Sequence, residues 1–292
     1  MRKKKQSSNR FVLACLSPMV LWYMVFSGIP IFYSLYLSFF RWSFLDSSQF
    51  VALKNYIEIL TGDELFYKAL GNTFVFTVSD VLIGTTLALC FALLINRLRK
   101  SAPAFRTVFF LPVVSSMTAV AILWRWLFQP KFGLINQFLG IFGFDRIMWL
   151  NSPETAMKSV IIMSIWKGLG FTIVLFLAGL QGVSGSLYEA AEIDGANRWQ
   201  KTIKITLPLL RPTFAFIIIT GFINGLQAFT QMYVLTKGGP VNSTLTIVYH
   251  LYNRAFEFFR MGNASAMAFI LFLMIILLTV LQLKLINKDI SY

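Results

Sequence analysis

Three groups of side chains in this 292-residue sequence could do chemistry, and all of them sit in apolar surroundings. Asp80 and Lys167 are ionisable residues inside long hydrophobic runs, where a charge is costly and usually has an assigned role. Asn224, Gln227 and Gln231 follow at spacings of three and four, which on a continuous helix puts three amides on one face. Such a stripe either bonds neighbouring helices together or offers paired donors and acceptors to a hydroxyl-rich solute. Trp166, Phe171 and Phe229 stand close by in sequence and supply flat apolar surface. Other chemistries are excluded. His250 is the only histidine, Cys15 and Cys90 lack metal-ligand spacing, and no Gly-x-x-x-x-Gly-Lys-Ser/Thr phosphate loop occurs. No catalytic constellation, metal site or ATP-hydrolysing loop is therefore expected. The cysteines read as packing residues of apolar helices, and His250 as part of a loop outside the bilayer.

These residues need a membrane around them. Hydrophobic residues make up 57% of the chain and charged residues 13%, whereas a soluble chain carries about a quarter charged residues. A helix needs about 20 apolar residues to cross the hydrocarbon core. Six runs qualify: Phe11–Phe40, Ala69–Ile95, Phe105–Phe128, Ala156–Leu180, Pro212–Thr236 and Met261–Leu283. The first is longer than needed and contains Pro18, Gly28 and Pro30, which predicts a kinked or interfacial outer end. The fold class is all-α integral membrane, a six-helix bundle over residues 11–286. A basic N-terminus (1–10) precedes it and a short tail (287–292) follows. At 1.5 Å per residue Asp80 lies about 15 Å, and Lys167 about 17 Å, from the outer face. Equal depth predicts an Asp80–Lys167 ion pair, either purely structural or lining a pathway. Arg125, between Trp124 and Trp126 near a helix end, reads as an interfacial anchor.

Placing the N-terminus inside puts fifteen Lys and Arg residues on the cytoplasmic side and nine outside. That bias predicts cytoplasmic termini. It also accounts for much of the net charge of +14 without a nucleic-acid partner.

The same orientation places a charged island, residues 186–212, in the cytoplasm. It runs from Glu189-Ala190-Ala191-Glu192-Ile193-Asp194-Gly195 through Ile205-Thr206-Leu207-Pro208 to Pro212. Ser186 and Glu189 have capping-box spacing. Ala190, Ala191 and Ala196 are small enough to let a partner approach the helix backbone. Gly195 suits a sharp turn, and Pro208 and Pro212 suit the first turn of a following helix. The pattern predicts a short helix, a turn and a second helix feeding the membrane.

Glu-Ala-Ala, three residues, Gly, nine residues, then Ile-x-Leu-Pro resembles the cytoplasmic loop of ABC-importer permeases. Asp194-Gly195-Ala196 and the Leu-Pro-Leu-Leu-x-Pro ending at Pro212 are similar to permeases of binding-protein-dependent sugar uptake, the maltose and glycerol-phosphate type. Gly238-Gly239-Pro240, at its distance from the loop, resembles the F-like member of the paired maltose permeases, here without a large inserted domain. The resemblance implies a bacterial cytoplasmic-membrane subunit that forms half of a translocation pore with a second, homologous permease. It implies two ATPase subunits below, which hold the ATP and magnesium, an extracytoplasmic solute-binding protein above, and a sugar, by that likeness an oligosaccharide, as cargo. Ser186, Glu189, Ala190, Ala191, Asp194, Gly195 and Ala196 would then couple to the ATPase. The family's sugar contacts fall on Ser164, Lys167, Gly168 and Phe171, and on Asn224, Gly225 and Ala228, several of them not the residue types found there. Trp166, Gln227 and Gln231 join them from the reading of the residues alone. The alternative is a secondary transporter driven by an ion gradient through Asp80.

Overall fold

The computed structural model describes residues 12, 15–42, 48–98 and 102–287. The basic segment 1–10 and residues 288–292 of the expected tail lie outside the described residues. The chain divides into two compact units. One holds residues up to Asp63 together with Leu251–Ile270, the other Glu64–His250 and the residues from Leu271 onward.

In the first unit, helix α1 (Cys15–Ser38) contains a wide turn at Met24–Gly28, which ends two residues before Pro30. Proline has no amide hydrogen to donate, and the widened turn absorbs that loss. The expected kink is thus a local widening within one helix. A two-residue hairpin pairs β1 (Phe40–Arg41) with β2 (Gln49–Phe50), and α2 (Lys54–Gly62) follows. Asn55 on α2 donates to the carbonyls of Ser38 and Phe40 at 2.8 and 3.0 Å, which ties α2 to the end of α1. Asp63 accepts from Arg254 at 2.8 Å, so the two stretches of sequence in this unit are held by an ion pair.

The second unit carries α3 (Glu64–Arg97), α4 (Ala102–Val114), α5 (Met117–Leu127), α6 (Leu134–Ile141) and α7 (Pro153–Gln181). Then come α8 (Gly185–Ile193), α9 (Arg198–Leu209), α10 (Arg211–Leu226) and α11 (Thr230–Leu235). Helix α12 (Ile247–Tyr252) and helix α13 (Met261–Asn287) each cross from one unit into the other. Long helices α3 and α7 form the centre of this unit, with α10 packed on α3 and α4 on α7. Small residues permit the contacts. A methyl group on Gly170 would lie 1.9 Å from the Phe109 carbonyl oxygen, and one on Gly225 would lie 2.7 Å from Thr77. Without such gaps neither α4 nor α10 could approach so closely. Ala88, Ala92, Phe176, Leu180 and Leu210 belong to the buried apolar cluster at one end. The hydroxyls of Thr73 and Thr77 donate to carbonyls one turn back and so need no other partner.

Four of the six expected spans are continuous helices: α1, α3, α7 and α13. The third is broken into α4 and α5, which meet at 97°. Pro112 stands in the last turn of α4, and the Ser116 hydroxyl caps α5 by accepting from the Ala119 amide at 3.1 Å. A cap in the middle of an apolar run restarts the helix in a new direction. The fifth span also stops early, at Leu226, and resumes as α11. His250 is not a loop residue but is buried in α12. Cys15 and Cys90 are not packed inside the chain; both are exposed on helix exteriors.

Candidate functional site

A cavity of about 540 Å³ opens among α3, α7, α10 and the two helix breaks. That falls within the usual range for small-molecule sites. Helix α7 contributes Ser164, Lys167, Gly168 and Phe171, a run spaced by three and one that stays on one side of the helix. Helix α10 contributes Asn224 and Gly225 from its last turn, and α3 contributes Phe76 and Asp80. The break after Leu226 brings Gln227, Ala228 and Phe229 to the same space, with Gln231 in the first turn of α11. Thr246 pins that break by donating to the Ala228 carbonyl at 3.0 Å.

Nine of the ten residues named from the sequence for the pathway therefore line one cavity. Trp166 does not; its ring meets Trp124 edge-on with centroids 5.5 Å apart, about 100° around α7 from Lys167. The amide stripe also needs a correction. Asn224, Gln227 and Gln231 do not share the face of one helix, because Gln227 caps the end of α10 and Gln231 belongs to α11. They converge because the helix breaks between them. Thr172, Thr220 and Thr230 line the cavity too and were missed. Stepping four residues from Gly168 and from Asn224 along their helices finds the first two.

Asp80 and Lys167 are not an ion pair. The Lys167 ammonium lies 3.4 Å from the carbonyl oxygens of Pro112 and Val113. These belong to the last turn of α4, where carbonyls lack intrahelical partners and attract cations. The break, which hydropathy alone does not mark, thus draws Lys167 away. Both residues still face the cavity, and Asp80 Oδ1 and Ser164 Oγ have no hydrogen-bond partner among the described residues.

The charged loop at 186–212 folds as α8, then a turn, then α9, as its sequence predicts. Gly195 takes φ +75°, a left-handed conformation that costs glycine little. Its amide donates to Glu192 and the Ala196 amide to Ala191, at 3.0 and 2.8 Å, which closes the helix in a Schellman motif. The start differs from expectation. Ser184, not Ser186, is the N-cap of α8, and its hydroxyl meets the Ser186 hydroxyl at 2.7 Å instead of a helix amide. The capping box stands at α9, where Asn197 and Gln200 exchange bonds of 2.9 and 2.8 Å. Two ties hold α8 to α9: Tyr188 to Thr206 at 2.9 Å, and Glu192 to Lys201. A hydrogen bond from Lys201, then its charge, holds the Glu192 carboxyl below the usual range. Glu189, Ala190, Asp194 and Gly195 are exposed, Ala191 and Ala196 partly so, and nothing in α8 is buried. Leu187, Ile193 and Trp199 add exposed apolar surface beside them.

Residues 80–292 match the family described as binding-protein-dependent transport system inner membrane component. A probable ABC transporter permease protein of Bacillus subtilis, YesP, is 36% identical over 97% of this chain and 93% of its own length. The lactose transport system permease protein LacF of Rhizobium radiobacter is 37% identical over 91% of each chain. Among solved structures, a chain of a bacterial ABC transporter involved in import of the acidic polysaccharide alginate superposes with a TM-score of 0.87, over the whole of both chains, at 24% identity.

Proposed function

The chain belongs to the family of binding-protein-dependent transport system inner membrane components, and we propose that it is the permease subunit of an ATP-driven sugar importer. It is a membrane-integral, non-catalytic subunit that works with a solute-binding protein and a separate ATPase. The observation that carries the sugar reading is the cavity. Hydrogen-bonding groups on α7, α10 and α11 converge there beside Phe171 and Phe229, donors and acceptors for hydroxyls next to apolar surface for ring faces. The lactose-transport relative supports a sugar as cargo. We read the orientation from the charge bias, with both termini and α8 in the cytoplasm. In this reading a second, homologous permease completes the pore and two ATPase copies carry ATP and magnesium. Ser186, Glu189, Ala190, Ala191, Asp194, Gly195 and Ala196 present the surface that meets the ATPase. The ion-gradient alternative has no support, since the family is binding-protein-dependent.

Reconstituting the chain with its second permease, ATPase and binding protein tests this. Uptake of labelled di- and trisaccharides should require internal ATP and the binding protein. Uptake that survives without ATP and collapses with an ionophore would restore the ion-gradient reading through Asp80.

A further inference from the structure

Helices α5 and α11 pack against one another and lead away from the cavity. Met117 on α5 and Gln231 on α11 line the cavity, while Arg125 and Leu235, further along the same two helices, line a second recess of about 210 Å³. Met117 and Arg125 are about 12 Å apart at 1.5 Å per residue. An oligosaccharide can bridge that distance.

The recess has a distinct composition. Phe128, Leu150 and Leu235 give it apolar walls, with Phe128 buried against Trp149 at 5.3 Å between centroids. Gln129 and Asn151 bring side-chain amides, and Arg125 and Lys237 bring two cations. Neither cation has an ion-pair or hydrogen-bond partner among the described residues, although each is exposed and free to take one. Lys237 is also held there at a cost. Its φ is +49°, left-handed for a residue with a side chain, and such a conformation persists only where the surroundings impose it. The surroundings are Thr236 and Thr244, whose hydroxyls meet at 2.6 Å, and the Gly239 amide, which donates to the Thr236 carbonyl at 3.0 Å. The turn thus fixes the base of Lys237 at the recess.

We infer that this recess is a carboxylate subsite for an acidic sugar, a uronate that meets Arg125 and Lys237 before or while its neighbouring ring occupies the cavity. The inference rests on the sugar-importer reading and adds the charge of the cargo. A planar guanidinium pairs bidentately with a carboxylate, the amides take ring hydroxyls, and the apolar walls take the ring face. Two partly exposed charge contacts correspond together to a preference of about tenfold for acid over ester.

The test uses the assembled permease–ATPase complex and two probes, digalacturonate and its methyl ester, with binding followed by tryptophan fluorescence at low ionic strength. The acid should bind about tenfold more tightly than the ester. In the Arg125→Gln/Lys237→Gln variant the two should bind alike, with neutral-disaccharide uptake unchanged. Lys167→Met, in the separate cavity, should keep the preference. No preference in the wild type, or one that survives the double substitution, overturns the inference. The same carboxylate could come from an acidic side chain of the binding protein. In that case the double variant would raise the half-saturating concentration of binding protein in ATPase assays with a neutral sugar, and the acidic-sugar assignment would be wrong. Uptake of sugars without regard to charge overturns this subsite alone, whereas no uptake of any sugar overturns the importer reading with it.

Discussion

Replacing Asp80 and Lys167 singly and together separates a shared cavity from a shared bond. Breaking a buried ion pair by removing one partner costs about 3–5 kcal/mol, because the other charge is left uncompensated, and removing both recovers most of it. The geometry predicts otherwise here. The two contacts of Lys167 are at 3.4 Å, beyond the 2.7–3.2 Å range of good N–H···O bonds, so Lys167→Met should cost about 1 kcal/mol or less. Asp80 Oδ1 has no partner to lose, so Asp80→Asn should leave stability unchanged or slightly raised. With no shared bond, the two effects should add to within about 0.5 kcal/mol. Thermal unfolding of the detergent-solubilised complex measures the stability coupling, and uptake is scored alongside it. Each single variant should lower uptake, and the double variant should not restore it. A coupling energy of about 3 kcal/mol, or recovered uptake in the double variant, would refute the reading of two independent cavity residues.

Gly195→Val should cost about 1–2 kcal/mol locally because its left-handed turn rejects a β-branched side chain, and should abolish ATPase coupling while protein level is kept. Normal uptake with the ATPase still bound would remove α8 from the dock. A cysteine at Asn197 should be inaccessible to impermeant thiol reagents outside intact cells and one at Asn242 accessible; the reverse pattern would invert the topology. Gly170→Ala places a methyl group 1.9 Å from a backbone oxygen that no second substitution can trim, so a loss of 1–3 kcal/mol or more is expected, read as lowered melting temperature. An unchanged melting temperature would mean that α4 shifts freely. Because the folded-state carboxyl of Glu192 is lowered, its tie to Lys201 is present above the ordinary glutamate range and lost as pH falls through the lowered value. Amide protection factors across α8, taken relative to the intrinsic exchange rate at each pH, should therefore fall in acid, and Glu192→Gln should remove that dependence.

Much of this was legible from residue order, and the misses have physical causes. Depth along a helix follows from counting residues, which put Asp80 and Lys167 at one level, and the two line one cavity. Azimuth and the attraction of a broken helix end do not follow from counting, so their pairing was misjudged. The break at Ser115–Ser116 carried a signal, a helix-capping serine after Pro112, that hydropathy alone averages away. Gln227 and Gln231 reach the cavity because α10 ends where a long apolar run gives no reason to stop. In the loop, composition identified both short helices and Gly195 their junction. Ser184 and Ser186 are equally good caps by type, and only the backbone selects Ser184. Asn197-x-x-Gln200 was in plain view as the better capping box.

Leu210, fully buried between α9 and α10, makes their 62° bend a pivot set in solid packing. From it α9 reaches back about 18 Å toward the tied helix α8, and α10 reaches forward about 20 Å to Asn224 at the cavity. This is a bell crank with arms of nearly equal length. On the coupling role proposed for α8, rotation of α9 and α10 as one rigid piece about Leu210 would deliver a push at α8 to the cavity at close to its original size, turned through the angle of the elbow. Lengthening α9 by a turn would change that ratio without touching either end.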